Sequence, residues 1–159
     1  MAAYNRWMNE KLYAAAAGLP DAERKRDLRA FFKSLHGTLN HLLLGDRVWM
    51  GRFTGEPFKV RSLADELYAD FDELRAERVK TDRHIVDWAA SLSDERIAGD
   101  FTFTSIVNPA PRTIPMRHAV THFFNHQTHH RGQATTVLMQ LGVDPGATDL
   151  LWLPELQAN

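Results

Sequence analysis

Apolar positions along the chain recur mostly at helical spacing, and the breaks between them fall at glycine and proline. From Tyr4 to Ala17 the chain is rich in alanine and leucine and stops at Gly18-Leu19-Pro20, which predicts a first helix. Asp21 stands where an N-cap belongs, ahead of a periodic segment from Leu28 to about Phe53. Its stripe is Leu28, Phe32, Leu35, Leu39, Leu42, Leu43 and Trp49, and Gly51 to Pro57 ends it. Ser62 with Asp65 has the form of a capping box and predicts the start of a third helix, striped by Leu67, Phe71, Leu74, Ile85, Trp88 and Leu92. Phe101 to Ile106 is β-prone, and Asn108-Pro109-Ala110-Pro111 punctuates it, so a short hairpin or extended insertion is expected there. Pro115 suits an early position of a fourth helix that runs to about Leu141 and ends at Gly142 and Pro145. The apolar tail Leu150-Leu151-Trp152-Leu153 is expected to dock on the helices.

These elements predict an all-α four-helix bundle, with residues 1–159 forming a single domain and the insertion preceding the last helix. Composition changes the picture little: 44% hydrophobic and 25% charged residues are ordinary for a soluble globular protein. A formal net charge of −1 gives no sign of nucleic acid or an anionic membrane as partner. No apolar run reaches the roughly 18 residues needed to span a bilayer, and the opening residues lack the layout of a secretory signal. Cysteine is absent, which removes disulfides, thiolate nucleophiles and Cys-ligated metals, and points to the cytoplasm.

Histidine is the exception to this ordinary composition. Five of the eight histidines fall between His118 and His130. On a helical wheel, Ala119, Val120, Phe123, Phe124, Ala134, Val137, Leu138 and Leu141 define the apolar face of the fourth helix. His130 lies inside that face and His126 near its edge. His122 is further round, and His118 and His129 are on the far side. Four positions separate His126 from His130, so their rings stack about one turn apart and can chelate one ion. Two buried imidazoles otherwise need partners for every ring nitrogen, at about 1–3 kcal/mol for each left unsatisfied. A hydrogen-bonded pair of core histidines is the alternative. A third ligand would come from His36, His41 or His84, or from a carboxylate; the wheel places His36 at the margin of the second helix's main stripe and His41 on another side, and favours neither.

The strings Leu39-Asn40-His41-Leu42-Leu43, Asp46-Arg47-Val48-Trp49 and His122-x-x-Asn125-His126-x-x-His129-His130-Arg131-Gly132-Gln133 resemble the DinB family of damage-inducible proteins, which is unrelated to the DNA polymerase of similar name. Ala3 to Asn9 and Thr113 to Met116 resemble that family too, so the likeness spans nearly the whole chain. It implies a four-helix bundle of DinB/YfiT-like type, usually dimeric, with a three-histidine metal site facing a cleft. Carried over to this chain, the ligands are His41, His126 and His130. The family often has Tyr at the position of His129, and His122 receives no ligand role from the resemblance.

Three neutral imidazoles leave a divalent ion its charge and at least one open position, the pattern of a catalytic site. Zinc and nickel lead among ions suited to imidazole. The resemblance includes relatives that use a metal-bound low-molecular-weight thiol, which implies a thiol-dependent S-transferase acting on a small molecule. A metal-dependent hydrolase, a stress-response dimer with a structural metal, and a small-molecule binding module are the alternatives. Arg131 and Gln133, beside the ligands, are candidates to orient a cosubstrate carboxylate or a ligand. Asp46, on the main stripe of the second helix, needs a partner, and Arg131 or a ligand imidazole would serve. Asn5, Trp7 and Asn9 are candidates to line the cleft, with Trp7 also suited to the core. The acids Asp65, Glu66, Asp72 and Glu73 read as a solvated face, and the Glu-x-x-His signature of di-iron bundles is absent.

Overall fold

The structure, a computed structural model, describes residues 1–105, 108 and 110–157. Four long helices make the frame: α1 (Ala2–Ala17), α3 (Leu35–Thr54), α4 (Phe71–Ser91) and α6 (Met116–Gln140). Two short helices, α2 (Asp21–Lys25) and α5 (Asp94–Ala98), lie between them. A hairpin of β1 (Asp100–Thr104) and β2 (Pro111–Pro115) precedes α6, and a 3-10 turn (Leu150–Trp152) with α7 (Pro154–Gln157) closes the described chain. The molecule is therefore mostly helical rather than all-α, because the insertion pairs as an antiparallel ribbon from Asp100↔Pro115 to Thr104↔Pro111. Ile106 and Pro109, the inner part of the expected β-prone run and its turn, lie outside the described residues. None of the described helices is long and apolar enough to cross a membrane.

Local chemistry explains the boundaries. Ser34 caps α3, its hydroxyl accepting from the Gly37 amide at 3.0 Å, and Gly55 ends the helix at φ +81°. Asp70 caps α4 by accepting from the Glu73 amide at 2.8 Å. Beyond α6 the amides of Gly142 and Val143 return to the carbonyls of Met139 and Leu138, a Schellman ending with Gly142 at φ +78°. Two predicted starts are corrected. Helix α3 begins at Leu35, not Leu28, because Arg29 and Lys33 adopt φ +58° and +65° and turn the chain sharply. Ser62 and Asp65 do bond to each other's neighbourhood, Asp65 accepting from the Arg61 and Ser62 amides, yet they close only a turn; α4 starts at Phe71. Pro115 ends β2 and stands just ahead of α6.

Helices α1 and α3 each pack against both α4 and α6. The apolar interior divides in two. One cluster gathers Leu12, Tyr13, Leu35, Leu39, Leu42, Phe71, Leu74 and Leu138; the other gathers Trp49, Phe53, Ile85, Trp88, Phe101, Met116 and Phe123. Along each long helix the residues between these clusters are polar and buried: Asn5 and Asn9, Asp46, Arg78 and Asp82, Gln127 and Arg131. Arg78 pairs with Asp46 at 2.6 Å and with Asp82 at 3.0 Å. Asn9 donates to Asp82 at 2.8 Å, Gln127 donates to Asp46, and Arg131 donates to Asn5. Of the apolar tail only Leu153 is buried, against Tyr4 and Met8; Leu151, Trp152 and Leu156 are exposed.

Candidate metal centre

The polar layer of α3 and α6 continues outward into a group of three imidazoles. Four residues of α6 separate His126 from His130, and α3 presents His41 opposite them. His41 Nε2 lies 3.2 Å from His130 Nε2, which lies 3.1 Å from His126 Nε2. One ligand nitrogen from each ring falls within 4.8 Å of the others. Nitrogens bound to zinc at about 2.0–2.1 Å in tetrahedral directions stand about 3.3 Å apart, so the donor set has the right spacing for one ion.

The tautomers follow from the outer hydrogen bonds. His41 Nδ1 lies 2.8 Å from the Leu63 carbonyl and His130 Nδ1 lies 2.8 Å from Gln133 Oε1. Both oxygens only accept, so both Nδ1 atoms carry the proton and both Nε2 atoms present lone pairs. Two lone pairs facing each other across 3.2 Å repel, and a cation between them would remove the repulsion. Burial holds the rings neutral: it is the first cause lowering His41 to about 4 and His126 to about 3, and His130 is lowered for the same reason. The hydrogen bonds that His41 donates to Leu63 and His130 donates to Gln133 only partly offset it. Nearby imidazoles add to the depression at His126.

Three features that sequence reasoning missed build this geometry. Phe32, in the turn before α3, stacks on His41 with ring centroids 3.8 Å apart and covers one side of the centre. The Leu63 carbonyl fixes His41 from the loop between α3 and α4. That loop is itself tied down by Asn40, whose Oδ1 accepts from the Leu67 and Tyr68 amides at 2.9 and 3.0 Å. Gly45, one turn beyond His41, leaves room for His126: a Cβ there would stand 3.1 Å from His126 Cε1. Of these only Gly45 carried a signal, since a glycine inside a helix invites the question of what approaches it.

The structure brings His41, His126, His130 and Gln133 together. His36, the rival to His41, is buried elsewhere and donates to the Tyr68 carbonyl at 2.9 Å. His129 is exposed, its ring 4.8 Å from that of His130. His122 contacts the rings of His126 and Trp49 at 5.8 and 4.9 Å. Arg131 points into the interior, donating to Asn5 and to Thr128 and stacking over Tyr4, rather than toward the imidazoles. Asn5 and Asn9 also lie in the interior layer, and Asp46 takes Arg78 as its partner. Burial pushes Asp46 up to about 6 against the pull of Arg78.

A cavity of about 700 Å³ opens from the centre. His41, Gly45 and His126 form its floor, Trp49, Phe103 and Ile114 its apolar wall, and Arg52, Arg112, His118 and His122 its polar lining. The size suits a small organic molecule.

A curated relative, "Protein DinB" of Bacillus subtilis (strain 168), is 26% identical over 155 residues, covering 92% of this chain and 87% of its own. The DinB family model matches residues 1–159. Met1 to Asn159 thus belong, as one chain, to the DinB family.

Proposed function

We propose that this protein binds one zinc or nickel ion through His41, His126 and His130 and works as a thiol-dependent S-transferase on a small molecule. The observation that carries the reading is the convergence of three Nε2 atoms, two of whose rings have their only proton committed to an oxygen acceptor on the far side. Such a set is suited to a divalent ion, which takes all three lone pairs at once. With three protein ligands the ion keeps an open position, where it would deprotonate a thiol at neutral pH. Leu63 and Gln133 aim two of the ligands, and Phe32 keeps water from one side of His41. The adjoining cavity gives a second reactant room beside the centre, and its apolar wall excludes water from the approach.

In this reading the frame is a four-helix bundle of DinB/YfiT-like type, one domain, cytoplasmic and homodimeric. The exposed tail residues Leu151, Trp152 and Leu156 support self-association. Elemental analysis of the purified, untagged protein beside His41→Ala tests the centre. About one zinc or nickel per chain, lost in the variant, is expected, followed by metal-dependent turnover when thiols are screened against electrophiles. Absence of metal after incubation with both ions overturns the reading. Metal without turnover of any thiol shifts it to a binding module.

A further inference from the structure

The cavity beside the histidines is unbalanced in charge. Arg52 and Arg112 both line it, and among the described lining residues there is no aspartate or glutamate. Arg52 comes from the last turn of α3. Its guanidinium is half-buried, lying over the Trp49 ring at 4.7 Å and the Phe103 ring at 5.2 Å. Among the described residues it forms no ion pair, although the protein pairs Arg6, Arg24, Arg26, Arg47, Arg61 and Arg78 with carboxylates. Burial lowers its pKa, the mark of a cation partly stripped of water with nothing returned.

Arg112 reaches the same wall from the hairpin. It is paired across the ribbon with Phe103, and strand alternation puts Arg112 and Ile114 on the face that lines the cavity. Desolvation is the first cause disfavouring the charged form of His122, and both guanidinium groups are near enough to add to it. A chain of ring contacts links Arg52 to the ligand set: Arg52 over Trp49, Trp49 to His122 at 4.9 Å, and His122 to His126 at 5.8 Å. An ion held by three neutral imidazoles adds two positive charges on the same cavity floor.

We propose that Arg52 and Arg112 form an anion subsite that grips a carboxylate of the small molecule whose other end meets His41, His126 and His130. The subsite deepens the metal-centre reading and rests on it only for the second half of that statement. A guanidinium resting against two neighbouring aromatic rings, whose centroids are 5.3 Å apart, keeps its other side free to offer a fork that matches the planar two-oxygen edge of a carboxylate. The stacking on Trp49 and Phe103 sets the orientation in advance, so little side-chain freedom is lost on binding. The ligand class is therefore an organic acid with an apolar or thiol-bearing body, long enough to run from the arginines to the histidines.

Calorimetric titration tests both halves. Succinate titrated into the metal-free protein reads the subsite alone, with Arg52→Gln, Arg112→Gln and Arg52→Lys as variants. Binding at millimolar concentration is expected, weakened about tenfold or more by Arg52→Gln and less by Arg52→Lys, which keeps the charge but loses the fork. Zinc-loaded protein titrated with mercaptosuccinate and with 2-mercaptoethanol reads the second half. The acid is expected to bind at least about tenfold more tightly, and Arg52→Gln to remove that preference without changing 2-mercaptoethanol binding. Succinate that does not bind, or binds equally to the Arg52→Gln/Arg112→Gln double variant, overturns the subsite. Inorganic phosphate binding as tightly as succinate overturns the carboxylate assignment. Zinc content measured on the same samples separates the two proposals: no zinc with arginine-dependent succinate binding sinks the metal centre alone, and zinc with arginine-independent succinate binding sinks the subsite alone.

Discussion

Two groups of polar side chains share one helical frame and follow opposite rules. In the interior layer, two cations (Arg78 and Arg131) accompany two anions (Asp46 and Asp82), and asparagine and glutamine amides fill the remaining places. Around the cavity, Arg52, Arg112 and five imidazoles meet no carboxylate among the described residues. The first group is balanced in charge within the chain. The second would be completed, in the proposed reading, by a metal and an anion. The first is buried throughout, whereas the second runs from buried His41 and His130 through half-buried Arg52 and His126 to exposed Arg112, His118 and His122. That arrangement fits packing in the one case and, in the proposed reading, binding in the other.

The largest effect is expected from breaking the balanced group. Arg78→Met removes the cation between Asp46 and Asp82 and leaves both carboxylates inside the protein. Stability should fall by about 3–5 kcal/mol, the cost of uncompensated buried charge, read as a lower urea midpoint. A loss below about 1 kcal/mol would mean that the layer is not acting as a charge-balanced unit. The cavity group should behave in the reverse sense. His126→Ala or His130→Ala should abolish stoichiometric zinc by elemental analysis while the helical circular-dichroism signal persists, and His118→Ala should retain the metal. Full zinc content in His126→Ala would remove His126 from the ligand set.

Acid sharpens the same contrast, and its sign follows from the ligand imidazoles. His41 and His126 are held near 4 and 3 in the folded protein, against an ordinary 6.5. Below about 6.5 the unfolded chain therefore binds protons that the native rings refuse. The stability is complete above that value and declines as pH falls toward the folded values. Asp46, raised to about 6 by burial, acts in the opposite direction, because the native state takes up its proton first. The two are separated by comparing metal-free protein with His41→Gln/His126→Gln: Asp46 is common to both. Between pH 7 and 5 the parent should lose more stability than the variant, and parallel curves would show that these rings are not kept neutral by burial.

Where sequence and structure part, the reason is local. The fourth helix, the hairpin and the His126–His130 pair were legible because period, proline and glycine all agreed. The stretch from Leu28 to Ser34 kept an apolar period yet turns at Arg29 and Lys33, two residues whose side chains give no sign of positive φ. That miss matters, since a continuous helix would not set Phe32 over the face of His41. The choice of His41 over His36 was open on spacing alone. It is decided by the loop carbonyls of Leu63 and Tyr68, each of which accepts from one of these rings, and no pattern of side chains encodes where a backbone carbonyl will point. Arg78 was readable and overlooked: Phe71, Leu74, Arg78, Thr81, Ile85 and Trp88 fall on one helical stripe, so a charged residue there is a core residue. Arg52 was hidden differently, because its partners are aromatic faces, Trp49 one turn back on its own helix and Phe103 on the hairpin, rather than a carboxylate.

Smaller effects come from the groups that aim the ligands. Gln133→Leu removes the acceptor that orients His130 and fixes its proton on Nδ1. Zinc affinity should drop by roughly 10–100-fold, measured by competition with a chromogenic chelator, with stoichiometry still about one at saturation. An unchanged affinity would show that Gln133 does not orient the ring.

Gly45 gives the smallest effect and separates fold from site most cleanly. It lies inside α3, where alanine is favoured by about 0.5–1 kcal/mol, so on helix grounds Gly45→Ala should stabilise the protein. The new Cβ would stand 3.1 Å from His126 Cε1 and 3.6 Å from Nδ1, closer than the ring tolerates without moving by a few tenths of an ångström. His126 has no hydrogen-bond partner on Nδ1 among the described residues to hold it in place, so the ring is free to give way. The displacement would carry Nε2 off the point it shares with His41 and His130. Urea stability should therefore rise or hold while zinc affinity falls several-fold, two readouts moving in opposite directions from one methyl group. Stability and affinity rising together would mean that the helix glycine is not there to admit His126.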